Sequence, residues 1–196
     1  MISIPLLYSF IAILGSASII SARPTLAARA CTGPPVNPAT IDLIAEFEGF
    51  VPNPYLDPVN IWTIGYGHQC ADSSCSDIKY TIPLSDTDGK ALLAGDLTDA
   101  QQCITLATAD PVVLNINQYG ALVSWAFNVG CGQVRSSSLL ARLNAREDAG
   151  QVIRSELPLW NRGGGEVLPG LVRRRAAEVA LADTPTDIGA IPAPCS

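Results

Sequence analysis

The sequence predicts an α+β fold, mainly helical, with one small β segment near the start of the folded region. Apolar residues recur at helical spacing through most of the chain beyond residue 37. Residues 50–68 break that spacing with three prolines, two asparagines and alternating apolar positions. Capping residues, first-turn prolines and terminating glycines then divide the helical part into separate segments.

The elements follow in order. Leu6 to Ile20 is almost wholly apolar, and small residues follow at Ser21, Ala22, Ala28 and Ala30. That pattern reads as a secretory signal with a short pro-segment over residues 1–30, cleaved between 22 and 30, and is too short for a membrane span. Residues 31–196 are then the folded domain. Asn37 is a good N-cap, Pro38 suits the first helical position, and Ile41, Ile44 and Phe47 share a face until Gly49 stops the helix.

Short strands and turns are expected from Phe50 to His68, with Gly65 and Gly67 allowing sharp turns. Ser85 opens a long helix, carrying Leu92, Leu93, Leu97 and Ile104, that runs unbroken toward Pro111 and is long enough to span two lobes. Asn115 with Gln118 caps the next, which holds Leu122, Trp125 and Phe127. Shorter helices follow Ser138 and Ala149, and Gly163 to Gly165 form a loop. The last helix carries Arg173, Arg174 and Arg175, and the proline-containing tail from Pro185 is extended.

All six cysteines (Cys31, Cys70, Cys75, Cys103, Cys131 and Cys195) lie beyond the apolar segment. An even count there points to disulfides in an oxidising compartment, and the lack of paired C-x₂-C spacing argues against a metal site. The expected pairing is Cys31–Cys195, Cys70–Cys75 and Cys103–Cys131. Charge is uneven: residues 31–119 carry 2 basic and 11 acidic side chains, residues 120–196 carry 8 and 7. An acidic chain has no general attraction to nucleic acid or anionic membrane, so neither is expected as a partner.

Glu48 and Asp57 stand nine positions apart on either side of a turn. Paired carboxyls of this kind suit glycoside hydrolysis, one protonating the leaving oxygen and the other serving water. Glu48 also sits on the last turn of its helix, where the dipole disfavours a carboxylate. Such a local misfit marks a functional position more often than a structural one. Phe47 and Phe50 are expected to bury Glu48 partly and keep it protonated, while Asp57 lies in wetter surroundings and stays ionised. Two acids nine apart are also compatible with solvated surface carboxylates.

The run Glu48-Gly49-Phe50, Tyr55-Leu56-Asp57-Pro58 and Trp62-Thr63-Ile64-Gly65-Tyr66-Gly67-His68 resembles the active-site signature of the phage-type lysozymes, glycoside hydrolase family 24. Gln118 to Leu122, Phe127 to Gly130, Ser137 to Leu140, Trp160 to Gly165 and Gly170 to Arg175 with Glu178 extend the resemblance over nearly all of residues 31–196. It implies a two-lobed, lysozyme-like fold with a small sheet in the first lobe and a cleft between lobes. It implies bacterial peptidoglycan as the substrate, no metal or cofactor, and a monomer, while the apolar leader and the six cysteines depart from the family and point to a secreted, extracellular relative. Glu48 becomes the general acid, Asp57 the group that holds or activates water, and Thr63 a hydrogen-bond partner of that water, with inversion at the anomeric carbon. Repulsion from an anionic wall would favour activity at acidic pH.

Arg174 is the candidate to position Glu48 by an ion pair, with Arg173 or Arg175 as alternatives. His68, the one histidine, reads as structural, closing the hairpin and pairing with Asp96 on the following helix. Trp62 and Tyr66 are candidates for stacking on sugar rings, though aromatics on a strand serve equally as core. Asn128 and the Gly163 loop are candidates for the cleft wall. Competing readings are a hydrolase of a related aminosugar polymer such as chitin and a catalytically silent wall-binding module.

Overall fold

A computed structural model describes residues 33–193. The leader read over residues 1–30 and the Cys31–Cys195 pairing lie outside the described residues. Helix α1 (Pro38–Glu48) starts where Asn37 Oδ1 accepts the Thr40 N–H at 3.0 Å, and it buries Thr40, Ile44 and Ala45. It ends at Gly49, whose φ of 77° an L side chain rarely adopts. That turn throws the chain directly into a three-stranded antiparallel sheet of β1 (Val51–Leu56), β2 (Trp62–Gly65) and β3 (His68–Gln69), in spatial order β1-β2-β3. Tyr55 faces Thr63 across the first pair, and Thr63 faces Gln69 across the second.

The segment expected as one long helix is two, α2 (Asp86–Asp96) and α3 (Thr98–Ala107), separated at Leu97. Gly95 weakens the helix there, and the Thr98 hydroxyl donates to the Gly95 carbonyl at 2.7 Å, offering the backbone a local alternative. After β4 (Leu114–Asn115), the central helix α4 (Ile116–Val129) begins with the Asn115–Gln118 capping box the sequence predicts. Short helices α5 (Cys131–Arg135), α6 (Ser138–Asn144) and α7 (Ala149–Glu156) follow. A hairpin of β5 (Arg162–Gly163) and β6 (Glu166–Val167) then leads into α8 (Pro169–Ala182). The tail is not merely extended: β7 (Gly189–Ile191) pairs antiparallel with β4.

The main core surrounds α4, whose Tyr119, Ala121, Val123, Ser124 and Trp125 have no exposed surface. Helix α1 crosses α4 closely because Gly120 has no side chain; a Cβ there would overlap the Thr40 hydroxyl. A second, small cluster of Ile64, Cys75 and Leu84 lies under the sheet. Disulfides join Cys70 to Cys75 and Cys103 to Cys131, as the expected pairing has them. Among the described residues no helix is long and apolar enough to cross a membrane.

Candidate active site

The carboxyl of Glu48 stands where α1 ends and its helical carbonyls lack partners, a position that calls for a cation. The cation comes from 126 residues further along the chain: Arg174 Nη1 donates to Glu48 Oε1 at 2.7 Å. Of the three adjacent arginines, Arg174 is therefore the one that reaches Glu48. Arg173 is exposed, and Arg175 is buried against Glu178. The Glu48 side chain is 27 % exposed, partly buried as expected. Phe47 lies against the arginine, with the guanidinium carbon 5.8 Å from its ring centroid. Glu48 is thus held by charge and direction more than by an apolar pocket.

Asp57 follows β1 and closes the hairpin turn. Its N–H donates to the Ile61 carbonyl at 3.0 Å, and its Oδ1 accepts the N–H groups of Val59 at 2.9 Å and Ile61 at 2.8 Å. One carboxylate oxygen is thereby committed to the turn, while Oδ2 has no hydrogen bond among the described residues. Thr63 is buried on β2, and its hydroxyl donates to the Ile61 carbonyl at 3.1 Å, which leaves its lone pairs available. Asp57 and Thr63 therefore share one partner residue, Ile61, and sit on one hairpin. Glu48 ends the helix that Gly49 joins to the first strand of that hairpin.

The remaining candidates divide. Tyr66 is 6 % exposed, its ring 5.1 Å from that of Phe50 and its hydroxyl donating to Asp86 Oδ1, so it is core and not a sugar platform. Trp62 is half-buried at the start of β2, next to Thr63. His68 pairs with Asp96 on α2 as expected, with Nδ1 2.9 Å from Asp96 Oδ1. Its second partner, Asp77, lies 3.0 Å from Nε2 and also accepts the Ala71 N–H, tying His68 to the disulfide loop. Burial disfavours the charge on His68, but hydrogen bonds to Asp77 and Asp96 outweigh it and raise its pKa above the ordinary 6.5.

Two open cavities have volumes of about 480 Å³ each, and neither is lined by Glu48, Asp57 or Thr63. One is lined by His68, Gln69, Asp96, Asp99 and Phe127; Gln69 is the cross-strand neighbour of Thr63. Asn128 is exposed and lines the other with Gln133, Trp160, Arg162 and Leu171.

Sequence reasoning passed over the buried support of Arg174. Glu178 Oε1 receives Ser124 Oγ and Arg175 Nη2 at 2.7 Å each and Arg174 Nε at 3.4 Å. The signal was present, since a glutamate three and four residues after paired arginines shares their helix face. Ser124 carries no such signal, because its contact comes from another helix.

A sequence profile described as phage lysozyme matches residues 45–178. Over 153 residues the chain is 37 % identical to the endolysin of Bacillus phage PZA, covering 77 % of this chain and 56 % of that protein. It thus spans about half the length of that relative. It is also 31 % identical over 157 residues to the SAR-endolysin of Haemophilus phage HP1, covering 74 % of this chain and 80 % of that one. Among solved structures, the muramidase domain of SpmX from Asticaccaulis excentricus superposes with a TM-score of 0.61 at 31 % identity, covering 76 % of this chain and 98 % of that domain. With the capped helix, the hairpin and the Arg174–Glu48 pair in place, these matches give the fold its family: the chain belongs to the phage lysozyme family.

Proposed function

We propose that this chain is a secreted lysozyme that hydrolyses the β-1,4 bond between N-acetylmuramic acid and N-acetylglucosamine in bacterial peptidoglycan, as a monomer and without metal or cofactor. The observation that carries the reading is the ion pair from Arg174 to Glu48, which holds an otherwise misplaced helix-end carboxyl where Gly49 joins α1 to the strand leading to Asp57. The two disulfides, which persist in oxidising compartments, support the secreted assignment.

In this mechanism the Glu48 carboxyl gives its proton to the glycosidic oxygen as the C1–O bond breaks. A water reaches C1 from the opposite face. Asp57 Oδ2 accepts one of its protons, and the Thr63 hydroxyl accepts the other as a hydrogen bond while keeping its own proton on the Ile61 carbonyl. Water held in this way attacks directly, so the anomeric centre inverts. The fixing of Asp57 Oδ1 by Val59 and Ile61 favours this role, since a carboxylate tethered by one oxygen is preorganised to serve water with the other. Trp62 and Asn128 are proposed to contact the glycan.

Purified peptidoglycan and chitin, each digested by wild type and by Glu48→Gln, test the reading. New reducing-end N-acetylmuramic acid from peptidoglycan, absent with the variant, is the expected result. Cleavage of chitin alone would assign a related aminosugar polymer, and wall binding without new ends from either would leave a silent binding module.

A further inference from the structure

The strongest unexplained feature is ionic and buried. Glu178 has no exposed surface, Arg175 is 1 % exposed and Arg174 is 4 % exposed, all on the inner face of α8. Arg175 Nε and Glu178 Oε2 are 2.6 Å apart, close as charges though not aligned as a hydrogen bond, and both count among the buried polar atoms without a hydrogen-bond partner. A buried ion pair is a poor stabiliser, because desolvation offsets much of its attraction. A chain that needed only a firm α8 would do as well with apolar residues here.

We infer that Glu178 is a positioning residue for the proposed reaction: from its buried seat it fixes Arg174 and balances the arginine charge that Glu48 faces. The inference rests on the general-acid role proposed for Glu48. The geometry forms one relay. Ser124 on α4 fixes Glu178 Oε1 at 2.7 Å, Glu178 receives Arg174 Nε, and Arg174 Nη1 reaches Glu48. Arg174 Nη2 also donates to the Ser124 carbonyl at 3.4 Å, so both ends of the guanidinium are referred to one residue of the central helix.

Charge counting supplies the second argument. Arg174, Arg175 and Glu178 together carry one positive charge, which an ionised Glu48 neutralises. Burial pushes the Glu178 carboxyl up and the Arg175 guanidinium down. A guanidinium nevertheless stays protonated in proteins, and one lying 2.6 Å from a carboxyl keeps it ionised. Other charges near these helices are engaged elsewhere or exposed, as Arg173 on α8 is. Asp42 on α1 is held by Lys90, Glu46 is exposed, Glu156 is held by Ser138 and Arg142, and Arg154 by Asp183. Helix α4 contributes no charged side chain.

The sign of each perturbation follows. Glu178→Gln leaves a second uncompensated arginine charge near Glu48, favours its ionised form and moves the alkaline limb of activity to lower pH. Arg175→Gln removes a positive charge and moves that limb to higher pH. Each displacement should be about half to one pH unit, roughly a three- to tenfold change in rate on the limb. The double variant restores the charge count and should return the limb to its wild-type place.

The test follows kcat against pH on a soluble peptidoglycan fragment and, in parallel, titrates the Glu48 carboxyl by NMR with ¹³C-labelled glutamate, assigned through Glu48→Gln. Opposite displacements in the two single variants, mirrored in the Glu48 resonance, are the expected result. Displacements of the same sign, or a fall in rate with the limb and the resonance unmoved, would overturn the inference. If the single variants fail to fold, the double variant decides. Lowered kcat with the limb in its wild-type place supports the relay, and unchanged kcat or a displaced limb refutes it. Full activity of Glu48→Gln would instead defeat the general-acid reading, and the NMR titration would still report whether Glu178 acts on Glu48.

Discussion

Around α4, Trp125, Tyr119, Leu122, Leu139 and Leu143 are essentially sealed from solvent, whereas the three-stranded sheet rests on Ile64, Cys75 and Leu84. The sheet compensates with polar contacts. Asp57 closes one turn, His68 bridges Asp77 and Asp96, and Cys70–Cys75 ties the loop beyond β3. The helical body is close-packed, and the sheet region is braced. Two of the three groups assigned to the chemistry, Asp57 and Thr63, come from the braced region, and Arg174 reaches across from the packed one to hold the third. The body gives rigidity, and the hairpin gives placement of small polar groups that a dense apolar core could not accommodate.

Core truncation should separate the two regions most sharply. Trp125→Ala removes a fully buried ring that also meets Trp160 edge-on at 5.1 Å, and should cost about 3–5 kcal/mol of global stability. Ile64→Ala should cost activity more than global stability, because it loosens the strand that carries Thr63. Chemical denaturation and amide exchange measured together check both. Equal loss of protection across the molecule in Ile64→Ala would erase the distinction.

The disulfides extend the comparison. Cys103–Cys131 closes 28 residues between α3 and α5, and Cys70–Cys75 closes 5. Loop-closure entropy then predicts a loss of about 3.5 kcal/mol for the Cys103→Ser/Cys131→Ser pair and about 2 kcal/mol for Cys70→Ser/Cys75→Ser. Denaturant midpoints in the reverse order would show that the short loop matters more to the sheet than its length implies.

A smaller effect is expected at His68. Folding raises its pKa, so the protonated form is favoured in the native state, with stability fully present below the ordinary value of 6.5 and lost as pH rises through the raised one. The melting temperature of wild type should therefore decline from mildly acidic to mildly alkaline pH, and His68→Gln should flatten that slope. The smallest effect concerns approach. Residues 31–119 carry a large acidic excess, and residues 120–196 are nearly neutral with one more basic than acidic side chain. Moderate salt should therefore raise activity on intact walls near neutral pH and leave activity on short soluble fragments unchanged.

Elements with local chemistry were legible in the sequence. Asn37 with Pro38, Asn115 with Gln118, and Gly49 each carry their start or stop signal within four residues. The Glu48 misfit was also local, and the ion pair expected separately from Arg174 is present. What escaped depends on tertiary geometry. The break at Leu97 is the local exception, set where Gly95 weakens the helix and the Thr98 hydroxyl bonds the Gly95 carbonyl. The burial of Tyr66 depends on Phe50 and Asp86 arriving from other elements. The Ser124–Glu178 contact joins side chains 54 positions apart, with no periodicity to announce it. The partial burial of Glu48 was legible, but the packing of Phe47 on Arg174 was not, because the arginine arrives from the last helix.

The general-acid assignment of Glu48 is tested most directly by changing what the leaving group requires. A folded Glu48→Gln variant should lose at least about 10²–10⁴-fold on a natural oligosaccharide, whose departing oxygen needs a proton. On the same oligosaccharide carrying a dinitrophenyl leaving group, which departs as a stable anion, it should keep most of the wild-type rate. Equal loss on both substrates, or undiminished cleavage of the natural one, would contradict the role assigned to Glu48.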